Sequence, residues 1–179
     1  MDDLKRQTTK DGSLSLYSLT YEEGFHDIDG ALRESINKYL LPAQLDQFHN
    51  TEKIVILDVC IGLGYNSGCI LEELLQRNHK IEWHGLEIDQ RPLNIALKEK
   101  EFQGLWSPKV LNFFTCLKKS ERWKEGVNEG TVNESYVVID PRGNARPAGS
   151  KIQADRYVKG KKGHYVILAK NAMKARRAI

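Results

Sequence analysis

Two glycines and a carboxylate have the spacing of a nucleoside-binding site. Gly62 and Gly64 follow an apolar run and precede a pattern of helically spaced leucines. At such a bend the backbone approaches a ligand closely, and its N–H groups and the positive end of the helix point toward that ligand. Glu87 follows 23 residues after Gly64, at the end of the next apolar run, where a carboxylate accepts both hydroxyls of a ribose. The sequence therefore predicts a nucleoside site at this turn.

The glycine pattern suits S-adenosylmethionine better than a dinucleotide or a nucleoside triphosphate. No GxxxxGK[ST] motif is present, which argues against a P-loop nucleotide hydrolase. The third glycine of the dinucleotide pattern is displaced to Gly68, and Ser67 occupies the expected position. S-adenosylmethionine has no pyrophosphate to cradle, so it is compatible with this irregularity. The alternative interpretation is a tight turn at Gly62 and Gly64, with Glu87 as a solvated strand end.

The elements around this turn follow the order of an α/β protein. The apolar, β-branched run over residues 53–59 is typical of a strand buried on both faces of a parallel sheet. A helix over residues 69–78, a second strand over 80–89 and a helix that opens at Arg91 come next. Further along we expect, in order, a helix from Ser107 to near Trp123, a loop over 124–134, a strand over 136–140, a loop over 141–150 and a strand over 164–170.

The N-terminal residues predict a small hairpin followed by a helix. An Asp-Gly pair that begins at Asp11 is a turn signal, and leucines alternate with serines after it at strand spacing. Asp29 is the expected cap of an amphipathic helix in which apolar residues recur four apart from Leu32 to Leu40.

The composition predicts one globular domain over 1–179. Its expected parts are an N-terminal extension and helix (1–50), a cofactor-binding core (51–141) and a basic C-terminal portion (142–179). No stretch approaches the roughly 18 apolar residues of a membrane span, and the N-terminus lacks the apolar core of a signal peptide. We therefore expect a cytoplasmic protein without a membrane partner. Three cysteines without C-x-x-C spacing predict free thiols and no metal site.

The net charge of +3 conceals a strong division along the chain. From Arg142 onward eleven Lys and Arg stand against one acid, giving +10, whereas the preceding residues carry −7. Such a basic portion suits contact with RNA phosphates. The alternatives are a solvated hairpin whose charges face water, or a region that has been truncated or has diverged.

Four blocks in this order resemble the MnmC-like methyltransferase family. They are TKDGSLSLYS, EEGFHDIDGALRES, ILDVCIGLGYNS and GLEIDQRPL, within roughly the first 100 residues. The resemblance implies an α/β fold, namely a Rossmann-like methyltransferase sheet with helices on both faces and a small N-terminal β extension, with a C-terminal shortening left open. It also implies S-adenosylmethionine as cofactor and, as substrate, the aminomethyl group of a modified wobble uridine in tRNA. No oligomeric state is predicted.

The resemblance also assigns site residues. It implies that Asp58, Gly62, Gly64, Tyr65 and Asn66 form the cofactor wall and that Glu87 binds the ribose. It further implies that three residues of the second block face the cofactor or the reacting amine, namely His26, Gly30 and Glu34.

The chain departs from the family downstream. The family has an aspartate in a D-x-F-S-P block and then a tryptophan, whereas this chain has Asp140 in an Asp-Pro-Arg-Gly context and no tryptophan after Trp123. Asp140 is the candidate to orient the amine and to accept or relay its proton. The alternative for Asp140 is the start of a loop without chemistry. Only two strands are predicted after residue 135, so either residues 123–135 hide a strand or the sheet is cut short. A second hypothesis is therefore a catalytically incomplete module that binds the cofactor or RNA.

Overall fold

The computed structural model describes residues 3–49, 52–133, 136–139, 145–148 and 165–168. The strands are β1 (Leu4–Thr8), β2 (Leu14–Ser18), β3 (Glu23–Gly24), β4 (Lys53–Val59), β5 (Lys80–Leu86), β6 (Arg122–Glu125), β7 (Asn128–Asn133), β8 (Tyr136–Ile139), β9 (Ala145–Ala148) and β10 (Tyr165–Leu168). The helices are α1 (Ala31–Ser35), α2 (Tyr65–Gln76), α3 (Arg91–Ala96), α4 (Lys100–Gln103) and α5 (Pro108–Ser120). A π-helical segment (Ile36–Leu40) continues α1, and a 3-10 turn (Leu45–Gln47) precedes β4. No helix in these ranges is long and apolar enough to cross a membrane.

A four-stranded sheet in the order β4-β5-β7-β6 carries the predicted turn. β4, β5 and β7 are parallel, and β6 joins β7 as an antiparallel hairpin. The register pairs Asp58 with Gly85 and Val59 with Leu86, so β4 and β5 end side by side. Parallel strands connected through helices confirm the Rossmann-like prediction, and their carboxyl ends are where such sheets bind ligands.

The core lies between one face of this sheet and the helices. Trp83 of β5 is fully buried, and Phe113 of α5 contacts it edge-on with ring centroids 4.9 Å apart. The Nε1–H of Trp83 donates to the Oγ of Ser67 on α2 at 2.8 Å. Aromatic pairs in this geometry contribute roughly 0.5–1.5 kcal/mol beyond their buried area. The pairing therefore fixes α2 and α5 on the same face as Trp83.

The opposite face of β4 is exposed in the part of the chain that the structure describes. Val55, Leu57 and Val59 are 55–65% exposed, whereas Ile54 on the other face is buried. β4 is also an edge strand among the described strands. This corrects the expectation that β4 is buried on both faces, because among the described residues only one of its faces is covered.

The expected loop over 124–134 is wrong, since most of it forms β6 and β7. β7 has a weak strand pattern because it is mostly polar and contains Gly130. The pairing of β7 with β5 explains why this segment is a strand. Gly130 fits there because it packs against Trp83, and a Cβ at this position would be 3.2 Å from the ring. The alternative of a hidden strand in this region is thereby confirmed.

Further downstream, the structure describes three short strands in a separate antiparallel sheet of order β10-β8-β9. β8 and β10 confirm two predicted strands, and β9 corrects the loop predicted over 141–150. Asp140 and most of the basic portion 142–179 lie outside the described residues.

The N-terminal hairpin is confirmed, but the predicted cap of α1 is wrong. Gly30, and not Asp29, is the residue before the first helical turn. The Oγ of Ser13 accepts hydrogen bonds from the backbone N–H groups of Ala31 and Leu32, and the Oδ2 of Asp11 accepts from Arg33 at 3.1 Å. Side chains of the β1–β2 turn therefore cap the helix from a distance in sequence.

Asp29 instead forms an exposed ion pair with Lys10. We expect Asp11→Ala to destabilise the protein by about 1–2 kcal/mol, the usual cost of a lost cap. Asp29→Ala, the matched control, should change stability little, because exposed ion pairs contribute little. Urea unfolding of both variants checks this; equal losses would mean that Asp11 does not act as the cap.

The Asp11 cap also predicts a dependence on pH. Partial burial raises the pKa of Asp11, but hydrogen bonds from Ser13, Thr9 and the backbone of Arg33 lower it to about 2. Because this value lies below the ordinary 3.8, the stabilising contribution is present above about pH 4 and is lost as the pH falls toward 2. The stability difference between wild type and Asp11→Ala should therefore shrink over that range.

Candidate functional site

The turn between β4 and α2 has an unusual backbone. Cys60, Gly62 and Gly64 have φ values of 65°, 58° and 98°, in the left-handed region. The N–H of Cys60 donates to the carbonyl of Leu86 at 2.9 Å, which ties the turn to the end of β5. A non-glycine residue pays about 1–2 kcal/mol for this conformation, so Cys60 shows that the turn geometry is enforced by its surroundings.

The two glycines of the turn are required for different reasons. A Cβ on Gly64 would lie 2.7 Å from Cε1 of Phe114 and 3.2 Å from Cδ1 of Leu93, so Gly64 permits close packing of α2 against α5 and α3. A Cβ on Gly62 would meet nothing nearer than Phe25 at 3.7 Å. Gly62 is half-buried and is therefore the glycine of the turn that is not crowded by the core.

Glu87 holds the turn through its carboxylate. Its Oε2 accepts from the N–H of Gly62 at 2.9 Å, and its Oε1 accepts from the N–H groups of Ile88 and Asp89 at 2.7 and 2.9 Å. A carboxylate has about four lone-pair sites, so it retains acceptor capacity for hydroxyl groups. Glu87 thus lies beside Gly62, as the sequence spacing predicted.

Asp58 lies at the end of β4 beside the first turn of α2. The Oγ–H of Ser67 donates to its Oδ2, and Ser67 in turn accepts from Trp83. Burial raises the pKa of Asp58, and the nearby carboxylate of Glu87 raises it further, against the hydrogen bond from Ser67. The glycine pattern marks Ser67 only as a position where a glycine is expected, although a hydroxyl in the first turn of a helix is a signal for such a contact.

Asp58 lines a cleft of about 370 Å³ beside the edge of β4. Asn66, at the start of α2, also lines this cleft and accepts from the Oγ–H of Ser35 at 2.8 Å. The remaining lining residues come from β4, α2, β5 and the π-helical segment: Tyr39, Ile56, Leu57, Val59, Ser67, Ile70 and Trp83. The cleft is large enough for a small organic ligand and presents both polar and apolar walls.

Tyr65 and Gly30 both make contacts that serve the packing of the fold. Tyr65 is fully buried, its ring packs edge-on against Phe102 at 5.2 Å, and burial raises its pKa. A Cβ on Gly30 would lie 2.2 Å from Oδ2 of Asp11, so Gly30 makes room for the cap of α1. The assignment of Tyr65 to the cofactor wall, and of Gly30 to a position facing the cofactor or the reacting amine, stays a prediction.

His26 lies next to the glycine turn. Its ring packs edge-on against Tyr65 with centroids 5.2 Å apart, and its Nδ1 is 3.2 Å from Oε2 of Glu34. The structure thus brings Asp58, Gly62 and Glu87 together at the sheet edge, with His26 close by. Asp140 lies outside the described residues.

The comparisons with known proteins support this fold. MnmC2 from Aquifex aeolicus has a similar structure, with a TM-score of 0.57 and 30% sequence identity over 72% of this chain. An uncharacterized protein of Methanocaldococcus jannaschii is 37% identical over 59 residues, which are 33% of this chain. No protein-family model matches the chain.

This chain spans only part of both relatives. The match covers 41% of the Aquifex chain and 16% of the Methanocaldococcus protein. The structural match nevertheless combines the same fold with substantial identity across most of this chain. The resemblance to the MnmC-like family is thereby confirmed at the level of the fold, and the chain has a Rossmann-like fold similar to that of MnmC2.

Proposed function

We propose that this chain binds S-adenosylmethionine at the turn between β4 and α2. The observation that carries the proposal is the contact between Glu87 and Gly62, which places a carboxylate beside the glycine turn at the adjoining ends of two parallel strands. Glu87 would accept the ribose hydroxyls, and the N–H groups near Gly62 would face the amino-acid portion. Asp58 and Asn66 would line the wall of the adjoining cleft.

The residues present fit this cofactor chemically. The ring of Phe114 occupies the space beside Gly64, and Ser67 stands at the position of a third glycine, where its hydroxyl donates to Asp58. These contacts leave little room at the turn for a pyrophosphate. Glu87 offers a charged acceptor for a diol. Once bound, S-adenosylmethionine supplies an electrophilic methyl group on sulfur.

The proposed reaction is methylation of the aminomethyl group of a modified wobble uridine in tRNA. Its support is the family resemblance over the first 100 residues and the structural similarity to MnmC2. An alkylammonium has no lone pair, so the amine must lose a proton before it reacts, and its positioning supplies much of the rate. Asp140 is proposed to orient the amine, and the basic portion 142–179 to contact tRNA phosphates in the cytoplasm.

A second candidate is a binding module that lacks a complete active site. The exposed apolar face of β4 favours it, because parallel sheets are normally covered on both faces, whereas Val55 and Leu57 are exposed in the part of the chain that the structure describes. Such a module would bind the cofactor or RNA without transferring a methyl group.

Two measurements on the full chain distinguish the candidates. Calorimetry with S-adenosylmethionine tests the cofactor site, and transfer of labelled methyl to tRNA that carries aminomethyl-thiouridine tests the reaction. Binding with transfer supports the methyltransferase. Binding without transfer supports the module, and absence of cofactor binding contradicts the cofactor site.

A further inference from the structure

His26 and Glu34 form a nearly buried pair at the rim of the glycine turn. The side chain of His26 is 13% exposed, and that of Glu34 is 18% exposed. Phe25, the preceding residue, lies 3.7 Å from the position that a Cβ would take on Gly62. The ring of His26 contacts Tyr65, which follows Gly64 directly. The pair is therefore held against the turn that would bind the cofactor.

Glu34 is an acceptor on both oxygens. Its Oε2 accepts from the backbone N–H of Asp27 at 2.9 Å, and its Oε1 accepts from Lys38 at 2.7 Å. Partial burial raises the pKa of Glu34, but hydrogen bonds from Lys38, Asp27 and His26 lower it overall. Because an ionised carboxylate only accepts, Nδ1 of His26 must carry the hydrogen in their contact.

The other nitrogen of His26 then has the lone pair. Nε2 makes no hydrogen bond to any residue in the described part of the chain. Burial lowers the pKa of His26 below 6.5, although the charges of Glu34 and Asp11 act in the opposite direction. The ring of His26 also contacts the uncharged ring of Tyr65, and the ammonium of Lys38 binds the far oxygen of Glu34. At neutral pH the imidazole is a neutral base with a fixed tautomer.

We propose that Nε2 of His26 accepts the proton of the substrate ammonium and that Glu34 positions the ring for this step. The inference rests on the proposed function. One N–H bond of the ammonium breaks, the proton passes to Nε2, and the electron pair stays on the amine nitrogen. That pair then forms the bond to the methyl carbon while the bond from that carbon to sulfur breaks and its electrons remain on sulfur. The imidazolium returns its proton to water.

The first test uses the free protein and no substrate. Nitrogen-15 NMR of the histidine rings should show His26 protonated on Nδ1 and titrating below 6.5. Glu34→Gln keeps an acceptor oxygen but loses the charge, so the tautomer should persist and the pKa of His26 should fall further. A proton on Nε2 in the wild type, or an unchanged titration in Glu34→Gln, would overturn the inference.

The second test measures the rate of methyl transfer. His26→Gln should slow single-turnover transfer about 100-fold at pH 7 and change cofactor affinity less than about threefold. The deficit should diminish toward pH 9, where more of the amine is already neutral. The matched control is His84→Gln, because His84 pairs with Glu82 on the outer face of the sheet, away from the turn. This control should retain the wild-type rate.

The outcomes separate the inference from the function on which it rests. If the wild type transfers methyl groups and His26→Gln retains its rate, the inference is overturned while the methyltransferase stands. If the wild type transfers none under any condition, the proposed function fails and the inference fails with it.

Discussion

Glu87→Ala is expected to lower the affinity for S-adenosylmethionine by about 100-fold. A hydrogen bond to a charged group contributes about 1.5–3 kcal/mol, and about 2.7 kcal/mol corresponds to 100-fold. The substitution removes the acceptor for the ribose and also the contact that holds the N–H of Gly62. Calorimetric titration of the variant measures the effect directly.

The control for Glu87 lies on the strand that leads to it. Glu82 of β5 is a carboxylate on the outer face, where it pairs with Lys53 and His84. Glu82→Ala should leave cofactor affinity unchanged. Urea unfolding of each variant separates loss of the site from loss of the fold. A folded Glu87→Ala with wild-type affinity would show that the ribose assignment is wrong.

Gly64→Ala is expected to destabilise the fold by about 2–5 kcal/mol. The left-handed backbone costs an alanine about 1–2 kcal/mol, and crowding in a packed core adds about 1–3 kcal/mol. The crowding arises because the new Cβ would lie 2.7 Å from the ring of Phe114, which is fully buried. Urea unfolding monitored by circular dichroism measures the loss.

Gly126 supplies a matched control for the steric part. Its φ of 61° also lies in the left-handed region, but a Cβ there would meet nothing within 4 Å. Gly126→Ala should therefore lose only the backbone contribution, about 1–2 kcal/mol. If both substitutions cost the same, the packing of Phe114 against Gly64 contributes nothing to the choice of glycine.

The agreement between sequence and structure is best where the signals are local. The strand before Gly62, the turn itself and the helix after it were predicted because apolar periodicity and glycine spacing act over a few residues. Ser107 was predicted as a cap for the same reason, and its side chain accepts from the N–H of Val110. Local rules also place Glu87 at a strand end.

The disagreements concern contacts between segments that are distant in sequence. Asp29 has the residue type of a cap, yet the β1–β2 turn presents Ser13 and Asp11 to the same N–H groups. Similarly, β7 has a weak strand pattern and forms because β5 and β6 pair with it. Neither the cap nor the strand can be predicted from the local pattern, because the fold determines which distant segment supplies the hydrogen-bond partner.

The sequence by itself determined the order of elements around the turn and the pairing of a glycine bend with a spaced carboxylate. Only the tertiary structure decided that Gly64 serves packing while Gly62 contacts Glu87, and that His26 meets Glu34 beside that turn. The physical reason is the distance along the sequence over which each interaction acts. Backbone propensity and hydrophobic period are properties of neighbouring residues, whereas a steric contact or a shared proton depends on which elements the folded chain brings together.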